Sequence, residues 1–146
     1  PTLLVKKTAL QSAGLFDERL RKNEDWDLCL RLTQRGKFGF VPEFLILSPN
    51  PIDPQAMAAK ISRSVRHGAC SFIRITGKLR RAGAGGRSLA PHYASAARYL
   101  MRLERPGSAR RFLRASLALD GWQPRIWMHY LLSFTPSLHA RLRREI

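Results

Sequence analysis

The first apolar positions of the chain predict a strand followed by a short helix. Residues 2–5 form a short apolar and β-branched segment, which is typical of a buried strand. Residues 7–13 then have helical periodicity and end at Gly14, a residue type that commonly follows the last turn of a helix. The chain is therefore predicted to begin with a strand and a helix.

A second helix and a second strand follow in the pattern. Asn23 is a suitable N-cap for a helix over residues 24–35, and Gly36 occupies the position after its last turn. Residues 38–41 predict another strand, which a Pro-Glu pair ends. The order strand, helix, helix, strand predicts that residues 1–47 are the C-terminal edge of an incomplete α/β sheet domain.

Three prolines within six positions separate this segment from the rest of the chain. Pro49, Pro51 and Pro54 exclude both a helix and a central strand, because proline lacks the backbone N–H that these structures use. We therefore predict a Pro-rich linker over residues 48–56.

Every readable segment after the linker has helical periodicity. Apolar residues recur at spacings of four and seven from Met57 to Phe72, with basic residues on the other face, which predicts a basic amphipathic helix. A glycine-rich segment over residues 82–88 predicts a flexible linker. Further helices are predicted over residues 89–103, 108–119, 124–134 and 138–144. Residues 57–146 should therefore form an all-α helical extension.

Charge is distributed unevenly between the two parts. The chain of 146 residues has a formal net charge of +16. Residues 1–47 hold eight Lys or Arg and six Asp or Glu residues, whereas residues 48–146 hold 18 and four. The extension therefore calls for an anionic partner or a highly solvated surface.

Residue spacing excludes several kinds of site. Cys29 and Cys70 form no CxxC motif, and the four histidines lack the mutual spacing of metal ligands. The longest apolar run, over residues 38–47, is too short and too interrupted to cross a bilayer. The aromatic and aliphatic stripe formed by Trp127, Leu131, Phe134 and Leu138 is interpreted as packing.

The candidate chemistry lies at the start of the second predicted helix. Glu24, Asp25 and Asp27 face the positive end of the helix dipole, which keeps carboxylates ionised without a buried cation. Asp27 is also spaced to pair with Arg31 one turn later. From the residues alone, the first interpretation is an acidic helix start that stabilises its own dipole.

A series of short motifs in this region resembles the C-terminal half of the catalytic domain of family 2 glycosyltransferases with the GT-A fold. The matching motifs are, in chain order, Gly14-Leu15-Phe16-Asp17-Glu18, Glu24-Asp25-Trp26-Asp27-Leu28, Arg31-Leu32 and Val41-Pro42-Glu43. The resemblance covers about the first 47 residues. Several motifs occur in order and with the expected gaps, so the resemblance is more specific than one short motif.

The resemblance implies a role for each residue of the acidic helix. Asp25 corresponds to the general base that takes the proton from the acceptor hydroxyl, and Glu24 would support it by orienting the acceptor or the base. Trp26, Asp27 and Arg31 are the candidate substrate-binding residues. Two questions stay open. Trp26 is either a platform for a sugar or part of the core. Asp27 and Arg31 either bind substrate or hold the helix in place.

The resemblance also implies the partners and the cofactor. The partners would be a nucleotide-sugar donor and a glycan or lipid-linked acceptor, with transfer of the sugar by inversion. The cofactor would be a divalent cation, Mg²⁺ or Mn²⁺, bound mainly by residues absent from this chain, because no strand–helix array with an Asp-x-Asp motif precedes residue 14. We therefore expect these residues to belong to a longer protein and to be inactive alone.

The basic extension leaves further alternatives. In the alternative function, the chain is a non-catalytic basic helical module that binds an anionic membrane surface or nucleic acid. Nucleic acid is not an expected partner, because no zinc finger, recognition helix or RNP signature occurs. The high arginine content also fits a plain helical bundle from an arginine-rich bacterial proteome. The expected location is cytoplasmic, with a peripheral position at the inner face of the cytoplasmic membrane.

Overall fold

The structure, a computed structural model, describes residues 3–43 and 64–135, and its regular elements in these ranges are all helices. It divides into two compact units, Pro1–Arg63 and Ser64–Ile146. The predicted linker over residues 48–56, like the helix predicted over residues 138–144, lies outside the described residues.

In residues 3–43, the first unit contains two helices, α1 (Lys7–Ala13) and α2 (Glu24–Thr33). They pack through a small core of Ala13, Leu28 and Leu32, which partly buried residues near α1 extend. The unit is therefore a helical pair in its described part.

The predicted α/β sheet edge is wrong for the described residues. Neither residues 3–5 nor residues 38–41 form a strand, and Leu4 and Phe40 are 99% and 88% exposed. A strand needs a neighbouring strand to pair its backbone N–H and C=O groups, and residues 3–43 supply none. These segments are apolar and partly β-branched, as strands often are, but they pair with no other strand among the described residues.

The ends of the two helices differ in detail from the prediction. Gly14 has a φ of +82° and allows the N–H of Leu15 to donate to the carbonyl of Leu10 at 3.2 Å, which closes α1. Asn23 precedes α2 as predicted, but its backbone is left-handed and its side chain forms no capping hydrogen bond. Helix α2 ends at Thr33, two residues earlier than predicted.

The described part of the second unit, residues 64–135, contains four helices: α3 (Val65–Arg81), α4 (Gly86–Arg102), α5 (Pro106–Leu119) and α6 (Pro124–Leu132). Helices α5 and α6 have proline in their first turn, where its missing N–H leaves no helical hydrogen bond unmade. The predicted glycine linker over residues 82–88 is shorter than expected, because α4 already begins at Gly86.

Helix α4 is the central helix of this unit. It packs against α3 on one side and α5 on the other, and α6 packs on α5. The core consists of buried apolar residues of α4, α5 and α6: Ala94, Ala97, Leu100, Met101, Ala109, Leu113 and Ile126. The hydroxyl of Ser116 donates to the carbonyl of Ala90 at 2.8 Å inside this core and ties α5 to α4.

No helix in residues 3–43 or 64–135 combines the length and the apolar character that crossing a membrane requires.

Candidate functional site

The first turn of α2 exposes the side chains of the predicted catalytic residues. Glu24 and Asp25 are both exposed, and a carboxylate oxygen of Asp25 accepts a hydrogen bond of 2.7 Å from the backbone N–H of Trp26. Trp26 itself is 49% exposed. Half of the Trp26 surface is therefore open to solvent, so the core interpretation is wrong, and the role as a platform for a sugar stays a prediction.

Asp27 faces the opposite way from Asp25. It is 2% exposed, and its Oδ2 lies 3.0 Å from Nε and 2.9 Å from Nη2 of Arg31. The predicted pairing of Asp27 with Arg31 is thus confirmed, in a geometry that uses two nitrogens of one guanidinium.

Arg31 also connects the two helices of the first unit. Its Nη1 donates to the carbonyl of Ala13, and its Nη2 donates to the carbonyl of Leu15 at 2.6 Å. These are carbonyls at the end of α1, where no further helical N–H is available to them. Asp27 and Arg31 therefore hold α2 against α1, and their predicted substrate contacts stay predictions.

The described residues do not fit a divalent cation. Asp25-Trp26-Asp27 has the letters of an Asp-x-Asp motif, but one carboxylate is exposed and the other is buried against Arg31. In residues 3–43 and 64–135, no group of three or more His, Cys, Asp or Glu side chains could hold a metal ion. The acidic turn is suited to accept a proton or a hydrogen bond and not to chelate Mg²⁺ or Mn²⁺.

The second unit has a strongly basic surface. Residues 64–135 contain thirteen Lys or Arg residues and two acidic residues, Glu104 and Asp120. Arg98 of α4 and Arg125 of α6 line a cavity of about 460 Å³ together with Gln123, Pro124, Ile126 and His129. Arg98 was not predicted as a site residue, because no spacing pattern in the sequence relates it to a helix that begins 26 positions later.

The apolar stripe on α6 is exposed, and its interpretation as packing is wrong for the described residues. Trp127, Leu131 and Phe134 are 46%, 65% and 58% exposed, and Leu138 lies outside the described residues. Trp122, just before the helix, is 90% exposed. Large apolar side chains that are grouped and exposed are typical of interaction surfaces.

His92 is buried, and the two cysteines are unpaired. Burial lowers the pKa of His92 on α4 below its ordinary value of 6.5, because the charged form is poorly solvated there. Its ring lies 6.5 Å from that of Phe72 on α3. Cys29 and Cys70 are both free thiols.

Comparison of the chain with protein-family models, curated proteins and solved structures finds no match. The resemblance to family 2 glycosyltransferases therefore depends on the motifs around α1 and α2 alone.

Proposed function

We propose that this chain is part of an inverting glycosyltransferase and that Asp25 is its general base on the acceptor side. The observation that carries the proposal is that the carboxylates within one turn of α2 have different surroundings. Asp25 and Glu24 face solvent, whereas Asp27 is buried and bonded to Arg31, which is itself bonded to the end of α1. A carboxylate held on an anchored helix is what general-base catalysis requires.

The proposed reaction is a single displacement at the anomeric carbon of the donor sugar. The Asp25 carboxylate accepts the proton of the acceptor hydroxyl while the hydroxyl oxygen forms its bond to that carbon. The bond to the diphosphate breaks on the opposite face, and the nucleoside diphosphate leaves with the electron pair. Because attack and departure take place on opposite faces, the configuration inverts.

The neighbouring side chains would position the acceptor. Glu24 is exposed beside Asp25 and can accept a second hydrogen bond from the acceptor. The open part of Trp26 can cover an apolar face of a sugar ring. Asp27 and Arg31 act through the backbone by fixing the direction of the first turn.

The donor site belongs, in this proposal, to residues outside those described. A bound Mg²⁺ or Mn²⁺ would neutralise the charge that develops on the diphosphate. The nucleotide-sugar donor implies a cytoplasmic enzyme, with a glycan or a lipid-linked molecule as acceptor.

The experiment uses the full-length protein that the gene encodes. It is incubated with a panel of nucleotide sugars, candidate glycan and lipid-linked acceptors, and Mn²⁺, and NMR gives the anomeric configuration of the product. We expect transfer from one donor class with inversion. Transfer with retention would contradict the proposal, as would a full-length protein that has no upstream Asp-x-Asp array and no transfer activity.

A further inference from the structure

Helix α6 has one face in the core and one face without a partner among the described residues. On the inner face, Ile126 is 8% exposed and packs with core residues of α5. On the outer face, Trp127, Met128 and Leu131 are 46%, 50% and 65% exposed. Leu131 lies four residues after Trp127 and three after Met128, which places it beside both on the helix surface. Helix α6 is therefore apolar on both sides, although only one side is buried.

The outer face is held in place by contacts at both ends of the helix. At the C-terminal end, Nη1 of Arg110 donates to the carbonyl of Ser133 at 2.8 Å, and its guanidinium lies 4.8 Å from the centre of the Phe134 ring. At the other end, Nε1 of Trp127 donates to the carbonyl of Gly121 at 3.0 Å. The Tyr130 ring forms T-shaped contacts with the rings of Trp127 and Phe134. The exposed rings thus belong to one ordered aromatic cluster.

Two arginines line a cavity at the start of α6, and one of them, Arg125, lies three residues before Met128 of the outer face. Arg98 and Arg125 line the cavity at the start of α6, and neither forms an ion pair within the described ranges. The cavity also has apolar walls, which Pro124 and Ile126 supply. Two arginines and apolar residues that line one cavity are suited to a phosphate group that is attached to an apolar body.

We infer that the outer face of α6 docks on an anionic phospholipid bilayer, with Trp122, Trp127, Leu131 and Phe134 at the interface and a lipid phosphate between Arg98 and Arg125. Charge complementarity supports this occupant, because residues 64–135 carry thirteen basic and two acidic side chains. Exposed Trp, Phe and Leu beside Arg are the residues that an interfacial helix uses. This inference is independent of the proposed sugar transfer.

The residue at the centre of the outer face of α6 favours a bilayer over nucleic acid as the binding partner. Single-stranded nucleic acid stacks its bases on aromatic rings, and a basic groove follows its backbone. Leu131 is the most exposed apolar residue within α6, and an aliphatic side chain offers no ring for stacking. It can instead enter the acyl-chain boundary of a bilayer.

The first test measures binding of the full chain to vesicles of phosphatidylcholine alone and of phosphatidylcholine with phosphatidylglycerol. A Trp26→Phe background leaves Trp122 and Trp127 as the fluorophores. We expect binding to the anionic vesicles that weakens with salt, with a blue shift and with quenching by lipids brominated on the acyl chain. Absence of quenching, or equal binding to neutral vesicles, contradicts the inference.

The second test uses paired variants with the same change of charge. Arg98→Gln with Arg125→Gln should weaken binding to the anionic vesicles at least tenfold, whereas Arg66→Gln with Arg87→Gln, two exposed arginines that do not line the cavity, should change it less than threefold. Trp122→Ala with Leu131→Ser should also lose at least tenfold, with the helical circular dichroism unchanged. Equal losses for the two arginine pairs would mean diffuse charge attraction and would overturn the inference.

Other occupants of the face give different results. If Leu131→Ser converts a dimer to a monomer in light scattering and leaves vesicle binding unchanged, the face binds a second copy of the chain. If the α6 variants bind vesicles like the wild type but lose affinity for single-stranded DNA, the face binds nucleic acid. Either result overturns docking on a bilayer.

Discussion

At the scale of single residues, the structure separates two kinds of acidic side chain that the sequence places in one turn. Asp25 and Asp27 are two positions apart, yet the first is exposed and the second is 2% exposed. Helical geometry causes the difference, because positions i and i+2 point about 200° apart on the helix. The i, i+4 spacing predicted the Asp27–Arg31 pair, but nothing in the sequence predicted that Arg31 would also reach Ala13 and Leu15.

Asp27→Asn should destabilise the first unit more than the same change at Asp25. The Asp27 variant loses a charged, buried hydrogen-bond acceptor of Arg31, so we expect the free energy of unfolding to fall by about 2 kcal/mol. Asp25→Asn removes only an exposed charge near a helix start, with a loss below about 1 kcal/mol. Denaturant unfolding and hydrogen exchange of α1 and α2 measure both. Equal effects of the two variants would contradict the anchoring role of Asp27.

His92 should make the second unit less stable in mild acid. Its pKa is lowered by burial, so between that lowered value and the ordinary 6.5 the unfolded chain binds a proton that the folded chain does not. Stability should therefore be fully present above pH 6.5 and should fall as the pH decreases below it. Thermal unfolding between pH 7.5 and 5.5 measures the slope, and His92→Gln should reduce it. An unchanged slope in the variant would assign the effect to another group.

At the scale of helices and strands, the sequence predicted those elements whose formation depends only on residues within the same segment. Helical periodicity located α5 and α6 to within two residues at each end, because this signal is complete within a few turns. The strands failed for the opposite reason. A strand over residues 38–41 depends on a partner elsewhere, and its own residues do not encode whether that partner is present. The start of α4 at Gly86 was missed because the three glycines at positions 83, 85 and 86 predicted a continuous linker.

The close approach of α3 and α4 depends on Gly68. A Cβ at this position would meet the Tyr99 ring, with Cζ at 2.5 Å and Cδ1 at 2.8 Å, and that ring is stacked on Phe72. Gly68→Ala should therefore lower the free energy of unfolding by about 1–3 kcal/mol through overpacking.

Gly77 on the same helix provides the matched control for Gly68. A Cβ there meets only the end of the Arg81 side chain at 3.7 Å, so Gly77→Ala should stabilise α3 by about 0.5–1 kcal/mol. Denaturant unfolding of both variants measures the two changes. If Gly68→Ala leaves the free energy of unfolding unchanged or raises it, the prediction is wrong, because α3 and α4 would then accommodate the added methyl group without a loss of stability.

At the scale of the whole molecule, the chain combines a weakly charged unit with a strongly basic one. The motifs that resemble a glycosyltransferase lie in the first unit, and the exposed aromatic cluster lies in the second. The charge difference was readable from composition, since it needs no knowledge of folding. The exposure of Trp127 and Leu131 was not, because a periodic apolar stripe looks the same whether it faces a core or a partner.

The rate of sugar transfer by Asp25→Asn in the full-length protein tests the central claim most directly. With donor and acceptor saturating, we predict that kcat falls by about 10²–10⁴ while the Kd of the nucleotide sugar is unchanged, because only proton transfer is impaired. Glu18→Gln, which neutralises another exposed carboxylate of the first unit, should stay within twofold of the wild type. A kcat of Asp25→Asn within threefold of the wild type would contradict the claim and leave the acidic turn as a helix start alone.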